Sequence, residues 1–325
     1  MKLLITNFYL FIFVSFSAFS QLKVENFSKI PNLNLVITDT KLNESTKTKQ
    51  IMVPSFTLNF ITKSSLGFSK IKTPTVPVNA VLNVVNLAGI QDYLLQQITD
   101  EAFQYYIAKL LEAGFTVIER DKYEQNYSYK TLFSQQPDNA EKPITGTLFE
   151  TNAKLNGAMH YKAFSAGNNL TFQFVNVPGN TPKMNKMVKE LNTNVADFTF
   201  TIDFLEYLPL KKTEKWEVAN SMGAKNQVII DAKPNLFAQY LSANIYTPAL
   251  MAVTGTNKIF ASFEHKFYKE IKSAAKTPEL EKKYGKGVKI FDIMIDEQAY
   301  KEACLELSKK YIDLLVAKIQ NQQEK

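Results

Sequence analysis

Along this chain the spacing of apolar positions changes repeatedly, and each change predicts a different element. Leu3 to Phe16 is almost continuously apolar after Met1-Lys2, and Ala18-Phe19-Ser20 then sets small residues three and one before a cut. The run is shorter than the roughly 20 residues of a membrane-spanning helix. Residues 1–20 are therefore expected to be a cleaved export signal, with the mature chain beginning near Gln21. From Gln21 to about Thr75 the pattern is irregular: Leu33 to Ile37 and Phe56 to Ile61 read as short strands on either side of a polar stretch from Thr38 to Gln50. Pro74 and Pro77 then favour extended backbone and exclude a helix.

Val78 to Leu87 is apolar on both faces, as a strand buried on both sides is, and is expected to lie centrally in a sheet. Thr99 is placed to cap a helix in which Phe103, Tyr106, Ile107, Leu110 and Leu111 share one stripe. Gly114 supplies a left-handed stop, and Phe115 to Ile118 follows as a short apolar strand. Strand, helix and strand in this order predict a right-handed crossover with parallel strands. After a polar loop from Ser134 to Gly146, Leu170, Phe172 and Phe174, and then Phe198, Phe200, Ile202 and Phe204, alternate with polar residues. Such strands are expected to be antiparallel, with one dry and one wet face. Between them Met184, Met187, Val188 and Leu191 fit one face of a short helix, with Lys183, Lys186 and Lys189 around it.

Towards the end, Phe237, Tyr240, Leu241 and Ile245 form a helical stripe that Pro248 interrupts, and Phe260, Phe263, Phe267 and Ile271 form another. Thr277-Pro278-Glu279 reads as a helix start. Gly285-Lys286-Gly287 turns into a strand whose Phe291, Ile293 and Ile295 face the core while Asp292 and Asp296 face out. A long helix from about Glu297 is striped by Tyr300, Cys304, Leu307, Tyr311 and Leu314. The expected fold is of the α/β (α+β) class: a mixed sheet with a strand-helix-strand crossover, antiparallel strands in the middle and a mainly helical C-terminal region. Its expected divisions are a signal at 1–20, an irregular segment with short strands at 21–75, an α/β domain at 76–232 and the helical region at 233–325.

Composition narrows the function classes. The formal charge of +7 would suit nucleic acid or an anionic membrane, but 37 of the 38 basic residues are lysine. Nucleic-acid readers favour the planar fork of arginine, so a solvated lysine-rich surface is expected and nucleic acid is not an expected partner. Cys304 stands alone and in an apolar stripe, which marks a packed thiol. His160 and His265, the two histidines, fall in no recognisable motif, so hydrolytic triads and metal sites lack their usual residues. Asp292 and Asp296 would lie about 13 Å apart along a strand. That is beyond the roughly 5–9.5 Å of paired glycosidase carboxylates. Gly285-Lys286-Gly287 lacks the spacing of a phosphate loop. No catalytic, cofactor-binding or metal-ligating residue is assigned, and no cofactor is expected.

Two features remain as candidate contact sites. Soft methionines beside lysines (Met184, Met187, Lys183, Lys186) suit a partner groove or an anionic lipid surface, although so short a helix otherwise packs on a sheet. Arg120, the one arginine, follows Glu119 at a strand end. Its guanidinium fork suits backbone carbonyls or a carboxylate that fixes the strand end against the next helix, or else an interface.

The run from Leu110 through Glu112-Ala113-Gly114-Phe115-Thr116-Val117-Ile118-Glu119-Arg120 to Tyr123 and Gln125 resembles a segment of the curli-secretion-channel (CsgG-like) family, in which a helix leads to a strand ending in Glu-Arg. Asn152-Ala153-Lys154-Leu155-Asn156-Gly157-Ala158-Met159-His160-Tyr161 is similar to that family's next strand, and the resemblance extends over roughly residues 78–205. It implies an α/β domain, a periplasmic or outer-membrane address and a non-enzymatic assembly role, with Glu119 and Arg120 as the matched positions. The chain departs from the family's pattern in having Gln21 where a lipid-bearing cysteine would stand, and it shows no pair of long alternating hairpins for a barrel. A pore is therefore not among the expectations.

These observations favour an exported, non-enzymatic binding or assembly module of a bacterial envelope, serving an outer-membrane or secretion-related complex. The expected partner is an envelope protein, with homo-oligomers and peripheral membrane contact as further forms of association. The 24 Phe and 15 Tyr supply the alternative, a secreted carrier of an apolar small molecule or lipid. A hydrolase with a dispersed active site is the third.

Overall fold

The structure is a computed structural model that describes residues 36–37, 49–67, 82–133, 139–143, 160–166, 180–209, 218–219, 225–226, 230–246, 251–255, 259–260, 266–273, 278, 281–282 and 289–323. The chain divides into two compact units, Met1–Asn34 and Leu35–Lys325, and the described residues belong to the second. The expected export signal, Pro74 and Pro77, the expected Leu170–Phe174 strand, most of the Asn152–Tyr161 run, His265 and the expected Gly285-Lys286-Gly287 turn lie outside them.

The strands are β1 (Val36–Ile37), β2 (Gln50–Gly67), β3 (Leu82–Ala88), β4 (Thr116–Val117), β5 (Lys142–Pro143), β6 (His160–Ser165), β7 (Asn194–Pro209), β8 (Val218–Ala219), β9 (Lys225–Asn226), β10 (Ile230–Tyr246), β11 (Met251–Gly255), β12 (Ile259–Phe260), β13 (Tyr268–Ser273) and β14 (Lys289–Ile295). The helices are α1 (Asp92–Glu112), α2 (Tyr127–Leu132), α3 (Asn180–Leu191) and α4 (Glu297–Gln323). A mixed sheet runs in the order β1-β11-β10-β7-β2-β3-β14-β13, with β4 and β6 also on β2, β5 on β6 and β12 on β10; β8 and β9 pair separately. The class is α+β, as expected.

β2 is the hub, and it lies in the segment expected to be irregular. Its apolar positions Phe56, Leu58 and Phe60 are fully buried, and so are Ser55 and Ser64 on either side of them. It runs parallel to β4 and β7 and antiparallel to β3 and β6. Pro54 has no N–H to give a ladder, and the β2–β7 register shifts between Met52 and Ser55, where Pro54 stands. Pro234 stands likewise at a shift between β10 and β7.

The strand-helix-strand unit is present, but its two strands are not parallel neighbours. β3 joins the far end of β2 antiparallel, through Lys63–Gly67, while β4 joins its near end parallel, through Gln50–Ile51. The parallel partner of β3 is β14, so β3–α1 and β14–α4 form two strand-helix units side by side. Their helices are tied in the same order along both chains: Tyr93 Oη donates to Glu297 at 2.7 Å, Lys301 Nζ lies 2.7 Å from Glu101, and Tyr105 Oη donates to Asp313 at 2.8 Å. The two helices therefore run parallel. Beneath them an aromatic row crosses the sheet. Tyr106 of α1 stands over Phe56 and Phe198, which stack at 4.7 Å, and Phe200 stacks on Tyr311 of α4 at 5.3 Å.

Other expectations need correction. α1 begins at Asp92, so Thr99 is no cap; it is buried in mid-helix, and its hydroxyl donates to the Leu95 carbonyl at 2.8 Å. The stripe from Phe237 to Ile245 belongs to strand β10, and Phe260 and Ile271 lie in strands β12 and β13. In β10 the cause is a pair of bulges. Its register shifts between Pro234 and Phe237 and again between Gln239 and Ser242, so the alternation of a regular strand is interrupted within the stripe. The boundary at 232/233 therefore cuts through β10, and the long helix of the C-terminal region is α4. The expected wet face of β7 is also mostly dry: Asp197, Thr201 and Asp203 are buried. Asp203 offsets its burial by accepting the N–H groups of Phe204 at 2.8 Å and Leu205 at 3.2 Å. Finally, β7 and β10 make one long antiparallel ribbon that the sequence pattern had hidden.

Candidate functional site

The run that carries the family resemblance builds one corner of the fold. α1 ends in a left-handed Gly114 (φ 82°), with Gly114 N–H bonded to Leu111 O at 2.9 Å and Phe115 N–H to Leu110 O at 3.0 Å, the pairing of a Schellman stop. β4 then docks beside the start of β2 through Thr116 N–H to Lys49 O (2.7 Å) and Ile118 N–H to Ile51 O (2.8 Å). A 3-10 turn over Arg120–Lys122 carries the chain to Asn126. There the Asn126 Oδ1 caps α2 by accepting the Tyr129 N–H at 3.0 Å, while its Nδ2 donates to Glu190 of α3 at 3.1 Å.

The two groups of predicted contact residues are thereby brought together. Met184 and Met187 are fully buried, packed with Met52, Tyr123, Tyr129, Leu132, Phe133, Val188 and Val195. They are not available to a lipid or a partner, which corrects that expectation; the apolar stripe of α3 is its inner face. Lys183, Lys186 and Lys189 are exposed, and Lys186 lies 3.6 Å from Glu190. Glu119 is exposed and flanks the turn. Arg120 stands by Tyr129 of the next helix, whose phenol burial raises and the Arg120 charge lowers. The Arg120 Nε lies 3.7 Å from Glu124, one turn along.

Between these elements is a cavity of about 210 Å³, lined by Gln50 and Met52 of β2, Thr116, Val117 and Ile118 of β4 and beyond, Lys122 and Tyr123 of the turn, and Leu191 and Thr193 after α3. Its walls are mixed, with hydroxyl, amide and ammonium groups beside apolar ones. Burial pushes the Tyr123 phenol up, with nearby Tyr129 adding to the rise and Arg120 opposing it. Tyr123 is thus held in its protonated form at neutral pH. The arrangement suits holding a group of mixed character. Its size is informative, since small-molecule pockets usually measure about 300–1,000 Å³.

A second polar cluster lies where β5 and β6 meet β2. The Thr62 hydroxyl donates to Glu141 Oε1 at 2.6 Å, and His160 Nδ1 lies 3.2 Å from Glu141 Oε2. Burial would raise the Glu141 carboxyl, but the Thr62 hydroxyl, His160 and the charge of Lys63 together hold it below its ordinary value. The carboxylate stands between hydroxyl and imidazole. A hydrolytic triad needs the imidazole in the middle, so this cluster is not arranged as one. Asp292 accepts the Asn86 amide at 2.8 Å and Asp296 caps α4 through the Ala299 N–H at 3.1 Å, both structural duties. Cys304 is fully buried, and burial pushes its thiol up. Among the described residues no three His, Cys, Asp or Glu side chains are grouped to hold a metal ion, and no helix is long and apolar enough to cross a membrane.

The cavity itself was missed in the sequence, because its lining comes from three segments far apart in the chain. Compared with known proteins, the chain matches no family model, no curated protein and no solved structure.

Proposed function

We propose that this protein is an exported, non-enzymatic binding or assembly module of a bacterial envelope, and that it grips an envelope protein partner at the corner formed by β4, the turn at Arg120–Lys122 and the end of α3. The observation that carries this reading is the cavity of about 210 Å³ beside Lys122. It is too small for a lipid or a typical carrier ligand and of a size to take one side chain of a partner. Further support comes from the leader-like residues 1–20 and from the resemblance, whose helix-to-strand run Leu110–Gln125 forms this corner.

The test is crosslinking in intact cells. A photoreactive residue at Lys122 should capture a defined envelope protein, and Thr116→Trp, which fills the cavity from its lining, should abolish capture without lowering the melting temperature. Equal capture of that protein from Tyr93, which is exposed on α1, would remove the corner from the reading. A small molecule found on the monomer by native mass spectrometry would favour the carrier instead. Intact mass from the native host should lack residues 1–20.

A further inference from the structure

We propose that two copies of this chain associate by pairing their β13 strands antiparallel about a two-fold axis through Ile271. β13 ends the sheet and, among the described residues, pairs only with β14. Lys269 to Ser273 are exposed on both faces of the strand, so the edge is open to another strand.

The occupant follows from the two rows that reach this edge. On one face, Ile293 lies opposite Leu87 of β3 and opposite Ile271 of β13. Exposure along this row, from Leu87 through Ile293 to Ile271, is 5 %, 1 % and then 38 %, so an apolar row that is buried inside the sheet is cut open at Ile271. On the other face, Asn86, Asp292 and Lys272 are successive neighbours, and Lys272 lies 2.7 Å from Glu270 of its own strand. An axis through Ile271 sets Ile271 against Ile271 of the second copy, which continues the first row. It also sets Glu270 against Lys272 of the second copy, and Lys272 against Glu270, which continues the second.

Charges on an edge strand ordinarily discourage pairing. Here they discourage the neighbouring registers. Moving the axis to Glu270 or to Lys272 puts that charge directly against its own copy, and like charges in that position are destabilising. A two-fold axis perpendicular to the sheet keeps each row on its own face, so it must pass through a residue. The Ile271 register is the one among these three without a clash.

A six-residue edge is small beside the roughly 1,200–2,000 Å² of stable interfaces, so association should depend on concentration. Sedimentation of the intact chain should show its mass doubling as concentration rises. Glu270→Lys alone and Lys272→Glu alone should each stay monomeric where the wild type has doubled, because each homodimer would face like charges. Mixed in equal amounts, the two variants should pair with each other. One then brings lysine at both positions and the other glutamate at both, so each facing pair is of opposite charge. Unchanged circular dichroism shows that both variants are folded. A wild type monomeric throughout, a dimer indifferent to either reversal, or a mixture that fails to pair would each overturn the proposal.

Discussion

The Arg120 guanidinium lies 3.7 Å from the Glu124 carboxylate, and both side chains are about two-fifths exposed. Water screens such a pair, so it contributes about 0.2–1 kcal/mol. Loss of that pair alone should lower the melting temperature by no more than about 4 °C, so a larger fall in Arg120→Lys would measure the further contacts of the guanidinium, Tyr129 among them. If the corner binds a partner, the same change should weaken capture from Lys122. A fall of about 10 °C or more with capture intact would make Arg120 a structural fork instead.

Phe200 and Tyr311 tie β7 to α4 by a stacked pair at 5.3 Å, both fully buried. Truncating either to alanine should destabilise by about 3–5 kcal/mol in urea unfolding. The double variant should lose less than the sum, by the roughly 0.5–1.5 kcal/mol of the pair's own geometry. Simple additivity would show that the rings are neighbours without being coupled.

Burial pushes up the acid groups of Tyr106, Tyr123, Tyr300, Tyr311 and Cys304. Each stays protonated in the folded chain after its unfolded counterpart, near 9.0 for the thiol and 10.0 for the phenols, has ionised. Their stabilisation is thus fully present below pH 9 and is lost as pH rises, at about 1.4 kcal/mol per pH unit for each group then differing. Denaturant midpoints should hold steady from pH 7 to 9 and fall steeply above 10. The Cys304 thiol should also resist thiol reagents until the chain unfolds.

Glu141 has the opposite sign. Its folded value lies below the ordinary 4.5, so its stabilisation is present above that pH and is lost as pH falls through the folded value. Thr62→Val removes the hydroxyl donor and should move the carboxyl titration, followed by carbon NMR, upwards. No movement would show that His160 and Lys63 alone hold it down. Loss of a bound metal with His160→Ala would overturn the present assignment of this cluster.

The parts of the fold that were legible in sequence are those with an unbroken period. Tyr300, Cys304, Leu307 and Tyr311 mark α4 because nothing interrupts its 3.6-residue stripe, and all four are buried. Phe198 to Phe204 mark β7 for the same reason. β10 was hidden because bulges after Pro234 and after Gln239 interrupt its alternation and leave no unbroken period of two. β2 was cut short because Pro54 and the polar Thr62 to Ser65 read as endings, whereas a bulge absorbs the proline and the sheet buries Ser64. At the candidate site, Arg120 drew notice as a lone arginine. The cavity walls beside its turn, Gln50, Thr193 and Leu191, reach the corner through strand pairing between distant segments, which no local spacing reports.

The pairing of β3 with β14 joins residues far apart in the chain: Asn86 and Asp292, hydrogen-bonded at 2.8 Å, are separated by 206 positions. At about 5–20 residues per second of synthesis, β3 exists for roughly 10–40 s before its neighbour is made. Pairings at such separation also close slowly once both strands are present. During that interval the hub strand β2 can gain β3 and β4, but neither the parallel helix pair nor the far side of β3 can form. Until β14 and α4 are made, β3 has one edge without its parallel neighbour and α1 has no partner helix, so this half of the sheet closes by a contact that spans most of the chain.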